Sequence, residues 1–394
     1  MRRSTGTSIT SRRSRSVNIL SVFRNLHLIL AALFGLFAAA VGLSGSALVF
    51  REEIEHAVYE PIITVGTTTV PFATLLTTAT ALDSARRVSM MVLPIAADRS
   101  VEFVLQKRNA RSLKGADQMS VYVNPYTGHV IGSRRREASV IAMLRDLHFA
   151  FFSGTSGLVF NGYVACALLF MSITGLYLWL VVSPRSERFS LRFGGNWKRV
   201  VWNLHRQSGA LSLAALALVA TTGAHYAFRE PSQRLMLAVT GSAPPRSIPI
   251  VTPPLAGSAP RDLDAIVGAA RAAFSDGTLA VVRVPSKSTQ AWAATFHRDG
   301  DGGESTDSGP TVYVNPFTLD VMRVDDARIM PFGARLEKSM ETLHYGKFGG
   351  VASRLFWVVL GVLPLLFMVS GALMWWQRAG RRLARGTGRR KFGD

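Results

Sequence analysis

Apolar residues gather in four long runs, at about 28–50, 158–182, 210–228 and 355–376. A helix needs roughly 20 apolar residues, with about 17 to 25 as the usual range, to cross a bilayer core. All four runs fall in that range, so the pattern predicts four membrane-spanning helices. The two long connections between them are patterned differently. Residues 71–87 and 261–275 place apolar side chains on one helical face, while 101–106, 119–123, 280–284, 291–296 and 311–314 read as strands. The chain therefore divides into a tail at 1–24, a span at 25–50, a mixed region at 51–157, a span at 158–182, a short basic loop at 183–205, a span at 206–228, a second mixed region at 229–354, a span at 355–377 and a tail at 378–394.

The chain also repeats itself. Asn25-Leu26-His27 opens a block that closes on Phe50-Arg51-Glu52, and Asn203-Leu204-His205 opens one that closes on Phe228-Arg229-Glu230. Val121-Tyr122-Val123-Asn124-Pro125-Tyr126-Thr127 returns as Val312-Tyr313-Val314-Asn315-Pro316-Phe317-Thr318. The second and fourth spans end alike, with Thr174-Gly175-Leu176-Tyr177-Leu178-Trp179 matched by Ser370-Gly371-Ala372-Leu373-Met374-Trp375. The unit is helix, mixed region, helix, used twice in parallel. Asn-Pro-Tyr-Thr-Gly at 124–128 is turn chemistry, because proline fixes φ and glycine relieves crowding. The stretch 299–309, with Asp299, Asp301, Glu304 and Asp307, reads as a solvated loop rather than a cation site, for it lacks regular calcium-loop spacing.

The net charge of +20 raises nucleic-acid binding as a class. Its distribution excludes that class, because nineteen basic residues sit in the two tails and the 183–206 loop, against only Glu187 and Asp394. Basic pieces beside spans stay cytoplasmic. Both termini are therefore expected inside, with the two mixed regions outside an inner membrane. Cys166 is the single cysteine and lies within a span, so neither a disulfide within the chain nor covalent c-type haem attachment is available. The apolar run at 28–50 is longer than a cleaved signal's core and reads as a retained anchor. The fold class is a mainly α membrane protein: a four-transmembrane-helix bundle with two extracytoplasmic α+β domains, built as an internal duplication.

Four histidines, each preceded by leucine, stand at the entrances of the four spans: His27, His148, His205 and His344. Histidine is a common haem ligand, and a b-type haem is held only by axial ligands and packing, which facing helices provide. By repeat position His27 pairs with His205 at the cytoplasmic end, and His148 with His344 at the outer end, giving two b-type haems. His225, near the outer end of the third span, is a further candidate ligand that could replace His148 or His344. Arg24, Arg206, Arg145 and Arg354 adjoin these positions and suit anionic propionates, although topology alone also explains arginine there. Trp179, Trp375 and Trp376 fit an interfacial aromatic belt. His56, His129 and His297 belong to the outer regions. No nucleophile–base pattern, phosphate loop or dinucleotide site is present.

The Leu-His before each span, the Val-Tyr-Val-Asn-Pro element, the Thr-Gly-x-x-x-Trp and Ser-Gly-x-x-x-Trp endings, and Leu343-His344-Tyr345-Gly346-Lys347-Phe348-Gly349-Gly350 together resemble the PepSY-associated transmembrane proteins, also called iron-regulated membrane proteins. The resemblance runs from about residue 20 to 378 and implies that the outer regions are PepSY-like domains. It also implies, for some members, haem-dependent reduction of a ferric siderophore in the periplasm, with electrons from quinol or a separate donor protein. Two other readings stand beside it: a non-enzymatic membrane module that binds a periplasmic partner or restrains a protease, and a transporter for iron or its chelate.

Overall fold

The structure, a computed structural model, describes residues 18–59, 63–94, 96–107, 118–188, 194–242, 247–253, 258–298 and 309–390, without the side chains at 56, 137, 187 and 380–390. Most of both basic tails, Arg192, the side chains of His56 and Glu187, and the acidic stretch at 299–308 lie outside the described residues.

Four helices are long and apolar enough to cross a membrane: α1 (Ile19–Leu48), α5 (Gly154–Val182), α6 (Trp197–Ala227) and the first thirty residues of α10 (Gly350–Arg390). Their outward faces carry the apolar surface, with Leu33, Leu36, Phe170, Leu211 and Leu366 among the exposed residues. That is the expected arrangement where lipid is the solvent. Helices α1, α5 and α6 begin earlier than the apolar runs. Trp197 opens α6 inside the stretch expected to be loop, with the Asn196 side chain accepting from the Lys198 backbone N–H at 3.0 Å as its cap.

Small residues set the helix crossings. Gly42 of α1 and Gly361 of α10 meet backbone to backbone, and Ser46 donates across the crossing to the Val358 carbonyl at 2.8 Å. Gly162 of α5 leaves room for the Phe228 ring at the end of α6.

Beyond one end of the bundle stand the strands β1 (Arg86–Val92), β2 (Val101–Lys107), β3 (Gln118–Val123), β4 (Val130–Arg135), β5 (Thr278–Arg283), β6 (Trp292–His297), β7 (Thr311–Val314) and β8 (Val321–Asp325). They do not form two separate domains. All eight pair in one antiparallel sheet of order β4-β3-β2-β1-β5-β6-β7-β8. The repeats join where Met90, Met91 and Val92 of β1 pair with Arg283, Val282 and Val281 of β5.

One core spanning both repeats lies under this sheet. It unites Leu75, Phe103 and Val121 of the first repeat with Ile266, Phe296 and Val312 of the second. The helices covering it are α3 (Phe72–Ala81) and α8 (Leu263–Ala273). The expected helix at 71–87 stops at Ala81, and Arg86 onward is strand, because the next apolar residues alternate against β2.

Asn124 and Asn315 shape the equivalent hairpin turns. The Asn124 Oδ1 accepts from the Tyr126 N–H at 2.8 Å, and the Asn315 Oδ1 from the Phe317 N–H at 3.0 Å. Gly128 takes positive φ in the first turn, and Leu319 takes it in the second.

Candidate functional site

Two further helices carry the histidines nearest the sheet domain: α4 (Val140–Ala150) with His148, and α9 (Phe332–Tyr345) with His344. Neither helix spans the membrane, yet each tucks its last turn against the bundle. The His148 carbonyl accepts from the Asn161 amide at 2.7 Å, and the His344 carbonyl accepts from the Trp357 indole at 3.0 Å. Asn161 and Trp357 are repeat-related, so the same grip on the histidine backbone occurs twice. Left-handed residues end both helices, Phe151 after α4 and Gly346 after α9, and turn the chain into the next span.

The grip brings the two imidazoles together. Their ring centres lie 6.1 Å apart with planes 58° to each other. A metal ion sits about 2.0–2.1 Å from an imidazole nitrogen, and the ring centre lies roughly 1.1 Å beyond it, so two imidazoles opposite one another across a metal have centres roughly 6.3 Å apart. The observed pair matches that spacing. Both rings line one cavity among the helices that is partly open to its surroundings. The walls are largely apolar, with Val41, Leu168, Val219 and Leu360 among them, and Arg51 and Arg145 also line it. Tyr226 stands edge-on to His344 at 5.5 Å.

The other pair of histidines lies on the spans. His27 of α1 bonds through Nδ1 to the Thr174 hydroxyl of α5 at 2.9 Å, and His205 of α6 bonds through Nδ1 to the Ser370 hydroxyl of α10 at 2.7 Å. The outer pair repeats the arrangement, His148 with Ser44 at 3.3 Å and His344 with Thr222 at 2.8 Å.

His225 does not join either pair. Its Nδ1 bonds to the Ser232 hydroxyl of α7 (Arg229–Thr240) at 2.9 Å, and it is not among the cavity's lining residues. Arg24 is exposed on α1, while Arg206 stacks over Trp202 at 4.2 Å and donates to Asn203 at 3.2 Å. Arg354 is committed elsewhere, to the Val49 carbonyl at 2.9 Å and the Glu53 carboxylate at 2.6 Å. Burial raises Glu53, but the hydrogen bond and charge of Arg354 outweigh it and hold the carboxyl below its ordinary 4.5. The sequence marked Arg51 only as part of the repeated Phe-Arg-Glu ending, and did not single out Asn161 or Trp357. Their repeat spacing from the histidines was the available signal for Asn161 and Trp357.

Among the described residues no group of three or more His, Cys, Asp or Glu side chains is arranged for a metal ion. The histidines come in pairs, which is the donor set haem takes from a protein when the porphyrin supplies the other four nitrogens. The residues present therefore fit a haem at the His148–His344 site: two neighbouring imidazoles at that spacing, apolar walls and arginines on the lining.

The class defined by this fold is a multi-pass membrane protein with four apolar helices and an antiparallel sheet domain. The family model described as PepSY-associated TM region matches residues 24–378. The chain belongs to that family. No curated protein matches it.

Proposed function

We propose that this protein is a b-type bis-haem electron-transfer protein of the inner membrane, which reduces a ferric siderophore or similar ferric chelate on the periplasmic side. The observation that carries the reading is the His148–His344 pair, with ring centres 6.1 Å apart on the lining of an apolar cavity. When bound, haem supplies one-electron exchange that no side chain here offers. His148 and His344 would hold it at the sheet end, and His27 and His205 at the opposite end. Arg51 and Arg145 line the cavity and would suit the propionates at the sheet end, and the apolar walls would keep water from the metal ligands.

The basic residues beside the spans support the orientation, with the sheet periplasmic and both termini cytoplasmic. The sheet domain would then form the platform for the chelate. The electron enters from quinol or a separate donor protein at the cytoplasmic end.

The test is the visible spectrum of the purified, haem-supplied chain before and after dithionite. The expected result is a low-spin b-type spectrum with two haems per chain, reduced to about one by His344→Ala. A wild-type chain that takes up no haem refutes the proposal.

A further inference from the structure

Each of the four histidines is seated in the same way, by a hydroxyl-glycine dipeptide on a neighbouring span. The seats are Ser44-Gly45 for His148, Thr174-Gly175 for His27, Thr222-Gly223 for His344 and Ser370-Gly371 for His205. In every seat the glycine faces the ring's Cε1, and a Cβ there would stand 2.8 Å from His148, 3.5 Å from His27, 3.6 Å from His344 and 3.8 Å from His205.

Every one of these hydroxyls is also bonded to its own helix, four residues back. Ser44 donates to the Ala40 carbonyl at 2.8 Å, Thr174 to Phe170 at 2.9 Å, Thr222 to Leu218 at 2.9 Å and Ser370 to Leu366 at 2.6 Å. A hydroxyl has one proton to give. With that proton spent on a carbonyl, the oxygen can only accept from the imidazole. The Nδ1 atom must then carry the hydrogen, and in a neutral ring Nε2 keeps its lone pair.

His148 supports this independently. Its Nδ1 also lies 2.9 Å from the Val41 carbonyl, a group that can only accept. Met171 supplies a comparable backbone partner to His27. His205 and His344 have the hydroxyl for this purpose.

We infer that Ser44, Thr174, Thr222 and Ser370 are positioning residues that fix all four histidines in the Nδ1–H form and so present four bare Nε2 atoms to metal. The inference rests on the haem reading for its purpose, but not for its test. Hydrogen bonds of this kind orient metal-binding histidines and raise their basicity, and their loss typically weakens metal binding by about 10- to 100-fold.

Nitrogen NMR on the full-length chain in lipid nanodiscs, with isotope-labelled histidine and no haem added, reads the tautomer directly. The wild-type rings at 27, 148, 205 and 344 are expected in the Nδ1–H form. Thr222→Val should release His344 alone to the Nε2–H form, and Thr222→Ser should restore it. Ser44→Ala should leave His148 unchanged, because the Val41 carbonyl still accepts. Wild-type rings carrying the hydrogen on Nε2, or a Thr222→Val chain in which His344 does not change, overturn the inference. The haem proposal fails separately, on the visible spectrum of the wild type.

Discussion

Glycine 45 illustrates how little room an imidazole has in its seat. A methyl at that position would press on the Cε1 of His148 and push the ring away from His344. On the proposed haem reading, Gly45→Val is therefore expected to remove the haem between His148 and His344 and to spare the other, which a haem count per chain would show. His225→Gln should leave that count unchanged, since its ring is turned to Ser232 and stands outside the cavity.

At this scale the sequence was informative about the histidines and poor about their seats. A Leu-His before each span is visible because the residue type is unusual at a membrane boundary and its position recurs. Ser-Gly and Thr-Gly pairs are ordinary in packed membrane helices. Only the meeting of Thr222 with His344, far apart along the chain, gives that dipeptide a meaning.

Among the elements, helix caps and ion pairs tie one repeat to the other. The Asp264 carboxylate of α8 accepts from the Phe72 and Ala73 backbone N–H groups at 2.8 and 2.9 Å, so the second repeat caps a helix of the first. Asp264→Ala should cost about 1 kcal/mol, typical for a lost N-cap, read as a lower unfolding midpoint in detergent.

On the bundle side, α2 (Arg51–Tyr59) is fastened to α10 by Glu53 with Arg354, and Glu52 reaches Lys347 in the link before α10 at 2.9 Å. Glu53 titrates below its ordinary 4.5 in the folded chain. A depressed carboxylate contributes stability that is fully present above the unfolded value and is lost as pH falls through the folded one. Unfolding midpoints should therefore drop below about pH 4.5 in the wild type, and the drop should be smaller in Glu53→Gln.

The four spans, α3, α8 and strands β2, β3, β5, β6 and β7 could be read from periodicity, which is a local property, whereas α2, α4, α7, α9, β4 and β8 were not read. Strand β1 could not, because Arg86–Val92 follows an apolar helix with only a short break and its partners lie elsewhere in the chain.

At the scale of the whole molecule, both histidine pairs are shared between repeats. His27 and His148 come from the first, His205 and His344 from the second, so neither half holds a complete pair. Fragments 1–188 and 194–394, produced separately, are expected to expose β1 or β5 as an open sheet edge, a known route to aggregation, and on the proposed haem reading to bind no haem. Co-expression should restore a complex that binds haem, visible as a coloured peak in size-exclusion chromatography. The duplication itself was legible from the recurring Asn-Leu-His and Val-Tyr-Val-Asn-Pro segments. The merging of the two outer regions was not, since β1 meets β5 through backbone groups that every residue possesses.

That merged sheet has a mechanical consequence. Carriers that alternate their access do so by rocking one repeat against the other around a fixed site. Here such a movement would have to tear the ladder at Met90, Met91 and Val92 from Arg283, Val282 and Val281, and shear one shared core. The architecture is that of a stationary frame, whose two halves are held at a fixed angle by their shared sheet.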